Sequence, residues 1–214
     1  MLNAGFFPRG IAIVFAFACA SAGAQAVSVQ PVAQSLAYPW AVAFLPQGRF
    51  LVTEKPGRLR RIDAQGAISA PLQGLPPIAA RDQGGLLDIV TDSDFARNRT
   101  LYFCYAEPDA TPGSQANSTA LARARLSDDE TRLEDLRVIF SQKPKVAGHQ
   151  HFGCRIAEAR DGTLFLTLGE RYHRRDDAQK LDNHLGKVVR VHKDGSVPAD
   201  NPFVGRAGAL PEIW

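Results

Sequence analysis

From residue 41 onward the apolar positions come in short runs, each closed by a turn signal. Ala41-Val42-Ala43-Phe44-Leu45 ends at Pro46-Gln47-Gly48. Phe50-Leu51-Val52-Thr53 ends at Lys55-Pro56-Gly57, and Leu59 to Ile62 ends at Asp63-Ala64-Gln65-Gly66. Runs of this kind, rich in Val, Ile, Leu and Phe and bounded by Gly, Pro and Asp, predict β-strands. Their spacing of about ten residues predicts antiparallel meanders, because a parallel crossover needs a longer connection.

The pattern then recurs. Strands are predicted at Gly85–Thr91, Thr100–Tyr105, Ala120–Leu126 and Arg137–Phe140, with Pro108–Ser118 as a long excursion between two of them. A third copy starts at Arg155–Ala159 and turns at Asp161-Gly162. It runs on through Thr163–Leu168 to Lys187–His192 and the turn Asp194-Gly195. Asp128–Asp135 reads as a loop, and only Asp176–His184 has the look of a short helix. The ending Leu210–Trp214 is apolar and strand-like. Repeats of ~40–60 residues made only of strands predict an all-β fold, a β-propeller. The expectation is three antiparallel four-stranded blades or slightly more, set as an incomplete arc of three to four blades, since a closed ring takes ~4–8.

The N-terminus follows another pattern. Ile11–Ala20 (IAIVFAFACA) is apolar, Arg9 precedes it with no acidic residue, and Ala24-Gln25-Ala26 follows a small-residue stretch. This predicts a secretory signal peptide over residues 1–26, and a mature, exported domain over residues 27–214 that is periplasmic or secreted. The apolar run falls well short of the ~20 residues that span a bilayer, and no later segment is longer. No membrane span is expected after signal removal.

Composition narrows the function classes. There are 25 Lys+Arg against 22 Asp+Glu, a formal charge of +3, with the basic residues scattered among acids. A dedicated nucleic-acid binder needs a basic face, so none is expected. A hydrophobic share of 45% is that of a folded domain. Cys19 leaves with the signal, while Cys104 and Cys154 stay. Export permits a bridge between them, but nothing in the sequence brings them together, and buried free thiols are the expectation. Neither a C-x-x-C motif nor the spacing of a zinc site is present.

The stretch richest in chemistry is Gly148-His149-Gln150-His151-Phe152-Gly153-Cys154-Arg155. Histidine is the usual general base near neutral pH, and glycine lets backbone come close to a ligand. His149 and His151 on an extended segment would share a face, but no third ligand for a metal is evident. Glu170 closes the predicted strand that ends Leu166-Thr167-Leu168-Gly169. A carboxylate there can orient a histidine ring. Gln83-Gly84-Gly85 sets a polar amide before two glycines. On these residues alone the plainer alternatives stay open: an idle loop around His151, an ion pair of Glu170 with Arg171 or Arg174, and an ordinary turn at Gln83.

Six stretches, in order along nearly the whole mature chain, resemble the quinoprotein glucose/sorbosone dehydrogenase family, most closely its aldose sugar dehydrogenase branch. They are Tyr38–Pro46, Leu51–Gly57, Asp82–Asp88, His151–Ile156, Gly186–Arg190 and, most distinctive, Asp194–Phe203. The resemblance implies a six-bladed propeller with pyrroloquinoline quinone (PQQ) over its central mouth, oxidation of an aldose sugar at C1, and an external electron acceptor. It implies that His151 is the general base, that Glu170 orients it, and that Gln83 lines the quinone pocket. His149 falls outside the matching motif. The family's Arg-Asn pair and its calcium ligands come after a Pro-Glu-Ile-Trp motif, here Pro211–Trp214, so calcium is expected with ligands beyond Trp214 and no metal ligand is assigned within the chain. The chain is therefore expected to be the N-terminal portion of such a propeller, with little activity alone. Cys154 departs from the pattern, which commonly has Ser there. A non-enzymatic exported propeller that binds carbohydrate or a protein partner is the competing reading. A weaker one is a calcium-dependent lactonase-like propeller using Asp82, Asn183 and Asp200.

Overall fold

In the computed structural model, which describes residues 27–214, every sheet is a meander of consecutive antiparallel strands. The first sheet holds β1 (Pro39–Leu45), β2 (Arg49–Glu54) and β3 (Arg58–Ile62). The second holds β4 (Leu86–Thr91), β5 (Thr100–Pro108), β6 (Ala116–Leu126) and β7 (Leu133–Ser141), with the two-residue β8 (Val146–Ala147) paired to the start of β6. The third holds β9 (Gly153–Glu158), β10 (Leu164–Leu168) and β11 (Val188–Val191). Helix among the described residues is limited to α1 (Phe95–Asn98) and two 3-10 turns, Pro46–Gly48 and Arg175–Gln179. The predicted helix at 176–184 thus shrinks to one 3-10 segment. The predicted excursion at 108–118 narrows to 109–115, because β5 runs on to Pro108 and β6 starts at Ala116. The predicted loop at 128–135 likewise loses its end to β7.

The expectation of four strands per blade fails in the first and third sheets. After β3 the chain still runs alongside it, through the Ile62–Ile68 bridge and the bonds from Ser69 N–H to the Arg61 carbonyl and Leu72 N–H to the Leu59 carbonyl. Pro71, Pro76 and Pro77 then interrupt the segment, and a residue without an N–H cannot hold a ladder. Beside β11, residues 212–214 begin a fourth position with a Val189–Ile213 bridge and the bonds Arg190 N–H to Glu212 and Trp214 N–H to Val188.

The second sheet is buried on both faces, and the two-residue period of β5 shows why its sequence is apolar throughout. Leu101, Phe103 and Tyr105 join a core with Leu51 and Leu59 of the first sheet. Tyr102, Cys104 and Ala106 join a second core with Ile156, Leu164, Leu166 and Val189 of the third.

The first strands, β1, β4 and β9, neighbour one another in turn, and each carries a bulge. The register slips at Pro39/Ala41, between Leu86 and Ile89, and between Gly153 and Ile156. A bulge frees an N–H from the ladder. In the first sheet Thr53 Oγ1 accepts the Ala41 N–H at 3.0 Å, and in the third Thr167 Oγ1 accepts the Arg155 N–H at 2.9 Å. The matching position of the second sheet is Cys104, and it is disulfide-bonded to Cys154 in the bulge of β9. The expectation of two free thiols is therefore corrected. The partners sit 50 residues apart in sequence, and packing of one sheet on the next brings their Cα atoms to 5.9 Å.

Candidate active site

His151 lies in the connection from β8 to β9, just before the bulge. Two glycines let this segment close on the end of β10. A Cβ on Gly169 would sit 1.8 Å from the His151 carbonyl oxygen, and one on Gly153 would sit 2.7 Å from the Gly169 nitrogen. Only backbone without side chains can approach so closely. The Gly169 N–H donates to the Phe152 carbonyl at 2.9 Å, so the next residue, Glu170, emerges beside the His151 ring.

The three residues singled out in the sequence meet here. His151 Nδ1 lies 2.5 Å from Glu170 Oε1. The His151 N–H donates to Gln83 Oε1 at 2.9 Å, and the Gln83 N–H donates to the His149 carbonyl at 3.0 Å. Gln83 therefore holds the backbone of the histidine segment, and its side-chain amide nitrogen has no partner among the described residues. The other ring nitrogen, His151 Nε2, likewise has none. The ring is 41% exposed and meets the Tyr172 ring edge-on, with centroids 5.3 Å apart. Partial burial pushes the Glu170 carboxyl up, but the bond to His151 and nearby backbone N–H groups outweigh it and hold the group below its ordinary value.

His149 contributes its carbonyl rather than its ring to these contacts. The extended geometry that would align it with His151 is broken, because His151 has a φ of 50°, in the left-handed region. Among the described residues no group of three or more His, Cys, Asp or Glu is placed to hold a metal.

The alternative reading, an ion pair of Glu170 with Arg171 or Arg174, finds no such contact among the described residues. Arg174 pairs with Asp177, and Arg171 turns inward. Arg171 is 2% exposed, its guanidinium stacks 4.0 Å from the centre of the Phe152 ring, and burial pushes its pKa down to about 10. Sequence reasoning missed this residue, and also Asn117 and Thr119. The Thr119 hydroxyl donates to the Phe152 carbonyl at 2.7 Å. A cation next to a carboxylate in sequence looks like a surface charge, and only the folded strand order shows it buried.

Along the inner strands a groove of about 590 Å³ opens beside this segment, lined among others by Trp40, Phe44, Asp88, Gly153 and Arg155. Asp88 ties its walls together by accepting the Ile156 N–H at 2.8 Å.

The family model described as Glucose / Sorbosone dehydrogenase matches residues 36–214. The chain belongs to this family. Over 191 residues it is 42% identical to aldose sugar dehydrogenase YliI of Escherichia coli (strain K12), covering 88% of this chain and 50% of that protein. A solved glucose dehydrogenase superposes with a TM-score of 0.79 at 45% identity, over 84% of this chain and 51% of the other. The PQQ-bound aldose sugar dehydrogenase of Streptomyces coelicolor superposes with a TM-score of 0.72 at 27% identity, over 87% and 52%. The chain spans about half the length of the curated relatives it matches. The glucose/sorbosone dehydrogenase membership fits the all-β series of antiparallel sheets. No helix among the described residues is long and apolar enough to cross a membrane. The predicted signal peptide at 1–26 lies outside the described residues.

Proposed function

We propose that this chain supplies the acid–base half of a PQQ-dependent aldose dehydrogenase site, with His151 as the base that takes the proton of the sugar C1 hydroxyl. The observation that carries the proposal is the His151 Nδ1 to Glu170 Oε1 contact of 2.5 Å beside an unpartnered Nε2 on an exposed ring. Glu170 selects the tautomer with the proton on Nδ1 and leaves the Nε2 lone pair for substrate. As Nε2 gains a proton the ring becomes cationic, and the Glu170 carboxylate stabilises that charge. Such a base is worth ~10²–10⁴-fold in rate.

The donors at this rim fit a planar, anionic quinone. The free Gln83 amide is a donor for a quinone or carboxylate oxygen, and Arg155 stands largely exposed, with one long contact to Asp88 at 3.5 Å. When bound, PQQ supplies the two-electron acceptor for the hydride of C1. Gln83 also keeps the His151 backbone in place, so one side chain would link cofactor contact to base position. Calcium and the external electron acceptor stay expectations of the family resemblance, with no contact assigned in this chain. Export to the periplasm or beyond rests on the residue 1–26 pattern.

The test is a chimera in which this chain is continued with the remaining segment of the Escherichia coli relative, loaded with PQQ. It is expected to oxidise aldoses with a dye acceptor. A chimera that binds PQQ but oxidises no aldose would contradict the reading and favour a non-enzymatic carbohydrate or protein binder.

A further inference from the structure

The segment that carries His151 has little regular structure to hold it. β8 is two residues long, and positive φ angles occur at Gly148, His151, Gly153 and Cys154. Two of those four are not glycine, and such a backbone persists only where its surroundings fix it. Following each carbonyl from 148 to 152 shows what does so. The Gly148 carbonyl accepts from Arg171 Nη2 at 2.7 Å and from Asn117 Nδ2 at 3.0 Å. The Gln150 carbonyl accepts from Arg171 Nε at 3.0 Å, and that of His151 from the Arg171 backbone N–H at 3.3 Å. The His149 carbonyl is taken by Gln83, and that of Phe152 by Thr119 and Gly169.

The guanidinium also fixes its own frame of reference. Arg171 Nη1 donates to the Asn117 carbonyl at 3.0 Å, and Nη2 to Asn117 Oδ1 at 2.6 Å, on the long strand β6. No carboxylate lies within ion-pair distance of Arg171 among the described residues, although the group is buried. A buried cation without a counter-charge is costly, so charge pairing does not explain it. Its geometry does: a planar fork reaches two loop carbonyls and a strand at once, which the single ammonium of lysine cannot. With these donors committed to the chain itself, a ligand-binding role is a poor fit.

We propose that Arg171 is a positioning residue that clamps the 148–151 backbone to β6 and so presents the His151 ring to Glu170. Consecutive residues then grip one histidine from two sides, Glu170 at the ring and Arg171 at the backbone. The proposal rests on the reading of His151 as the base for its functional meaning, but its test reads geometry and needs no turnover.

The test is a long-range ¹H–¹⁵N imidazole spectrum of the full 214-residue chain, with the His151 signals identified by His151→Gln. Arg171→Met keeps much of the volume while removing the donors and the charge. It is expected to raise exchange of the His151 Nδ1 proton with water about tenfold or more and to shift the ring signals, while the signals of the buried His184 stay in place. Arg171→Lys is expected not to restore the parent spectrum. A parent-like His151 spectrum in Arg171→Met would overturn the proposal, and so would His151 and His184 signals that shift together, which indicate general loosening. If Arg171→Met does not fold, Asn117→Ala removes one acceptor of the clamp. A smaller shift at His151 in the same direction then supports the proposal, and an unchanged ring overturns it.

Discussion

His151 and His184 each face a glutamate. His151 meets Glu170 at 2.5 Å with a ring 41% exposed, whereas His184 meets Glu212 at 3.3 Å with a side chain 1% exposed. Both nitrogens of His184 are occupied, because Nδ1 accepts the Lys143 N–H at 3.1 Å and Nε2 faces Glu212. Its ring packs against Phe140 with centroids 4.9 Å apart. Burial pushes the His184 pKa down, and Glu212 only partly opposes this. The contrast teaches that a carboxylate partner does not by itself mark a base. A base needs one nitrogen oriented and the other left free and reachable, and only His151 has both. His184 instead ties the 142–144 strand exit to the third sheet, a structural task.

Exchanging the two histidines should separate these tasks. The largest effect is expected from His151→Gln in the PQQ-loaded chimera, a loss of ~10²–10⁴-fold in sugar oxidation with the melting temperature nearly unchanged. Next comes the bridge that joins β5 to β9, three residues after His151. Replacing Cys104 and Cys154 together by Ala is expected to cost about 2–4 kcal/mol in denaturant unfolding, and equal stability would argue against a structural bridge. His184→Leu leaves the Lys143 N–H without its acceptor and is expected to cost about 1–3 kcal/mol, with little effect on rate per folded molecule. If His184→Leu slowed turnover as much as His151→Gln, the division of labour would fail.

The smallest effect is one of pH. His184 has a folded pKa below its ordinary value of about 6.5, so the unfolded chain takes up a proton first as pH falls. Stability is full above about pH 6.5 and is lost as pH drops toward the lower folded value. Glu170 is also lowered, so its contribution is full above its ordinary carboxylate value and is lost only in more acidic solution. His184→Leu should remove the first decline and leave the second. A decline near pH 6 that persists in the variant would contradict the assignment.

Much of this arrangement was legible in the sequence, for identifiable reasons. The run TLYFCY announced a strand because both of its faces are buried, and Gly and Pro marked the turns between strands. Gln83, His151 and Glu170, which the fold brings together, were singled out through family motifs, since on residue type alone a turn, a loop and an ion pair were the plainer readings. The bulges were not legible, because a one-residue slip is defined only against a partner strand. Neither was the disulfide, whose partners meet across two sheets. Arg171 stayed hidden because all but one of its side-chain acceptors are backbone carbonyls, which leave no trace in residue identity. The missing fourth strands show the limit of counting apolar runs, since prolines between Ala70 and Ile78 undo a ladder that the register would otherwise continue.

The central claim is that Glu170 sets His151 up as a base with its free nitrogen outward. The most direct measurement is the pair of His151 ring ¹⁵N shifts in the neutral form of the chain, compared with those of Glu170→Gln. The account predicts a protonated Nδ1 and an unprotonated Nε2 in the parent, with the preference weakened in the variant. A neutral ring protonated on Nε2, or a tautomer indifferent to Glu170, would contradict it.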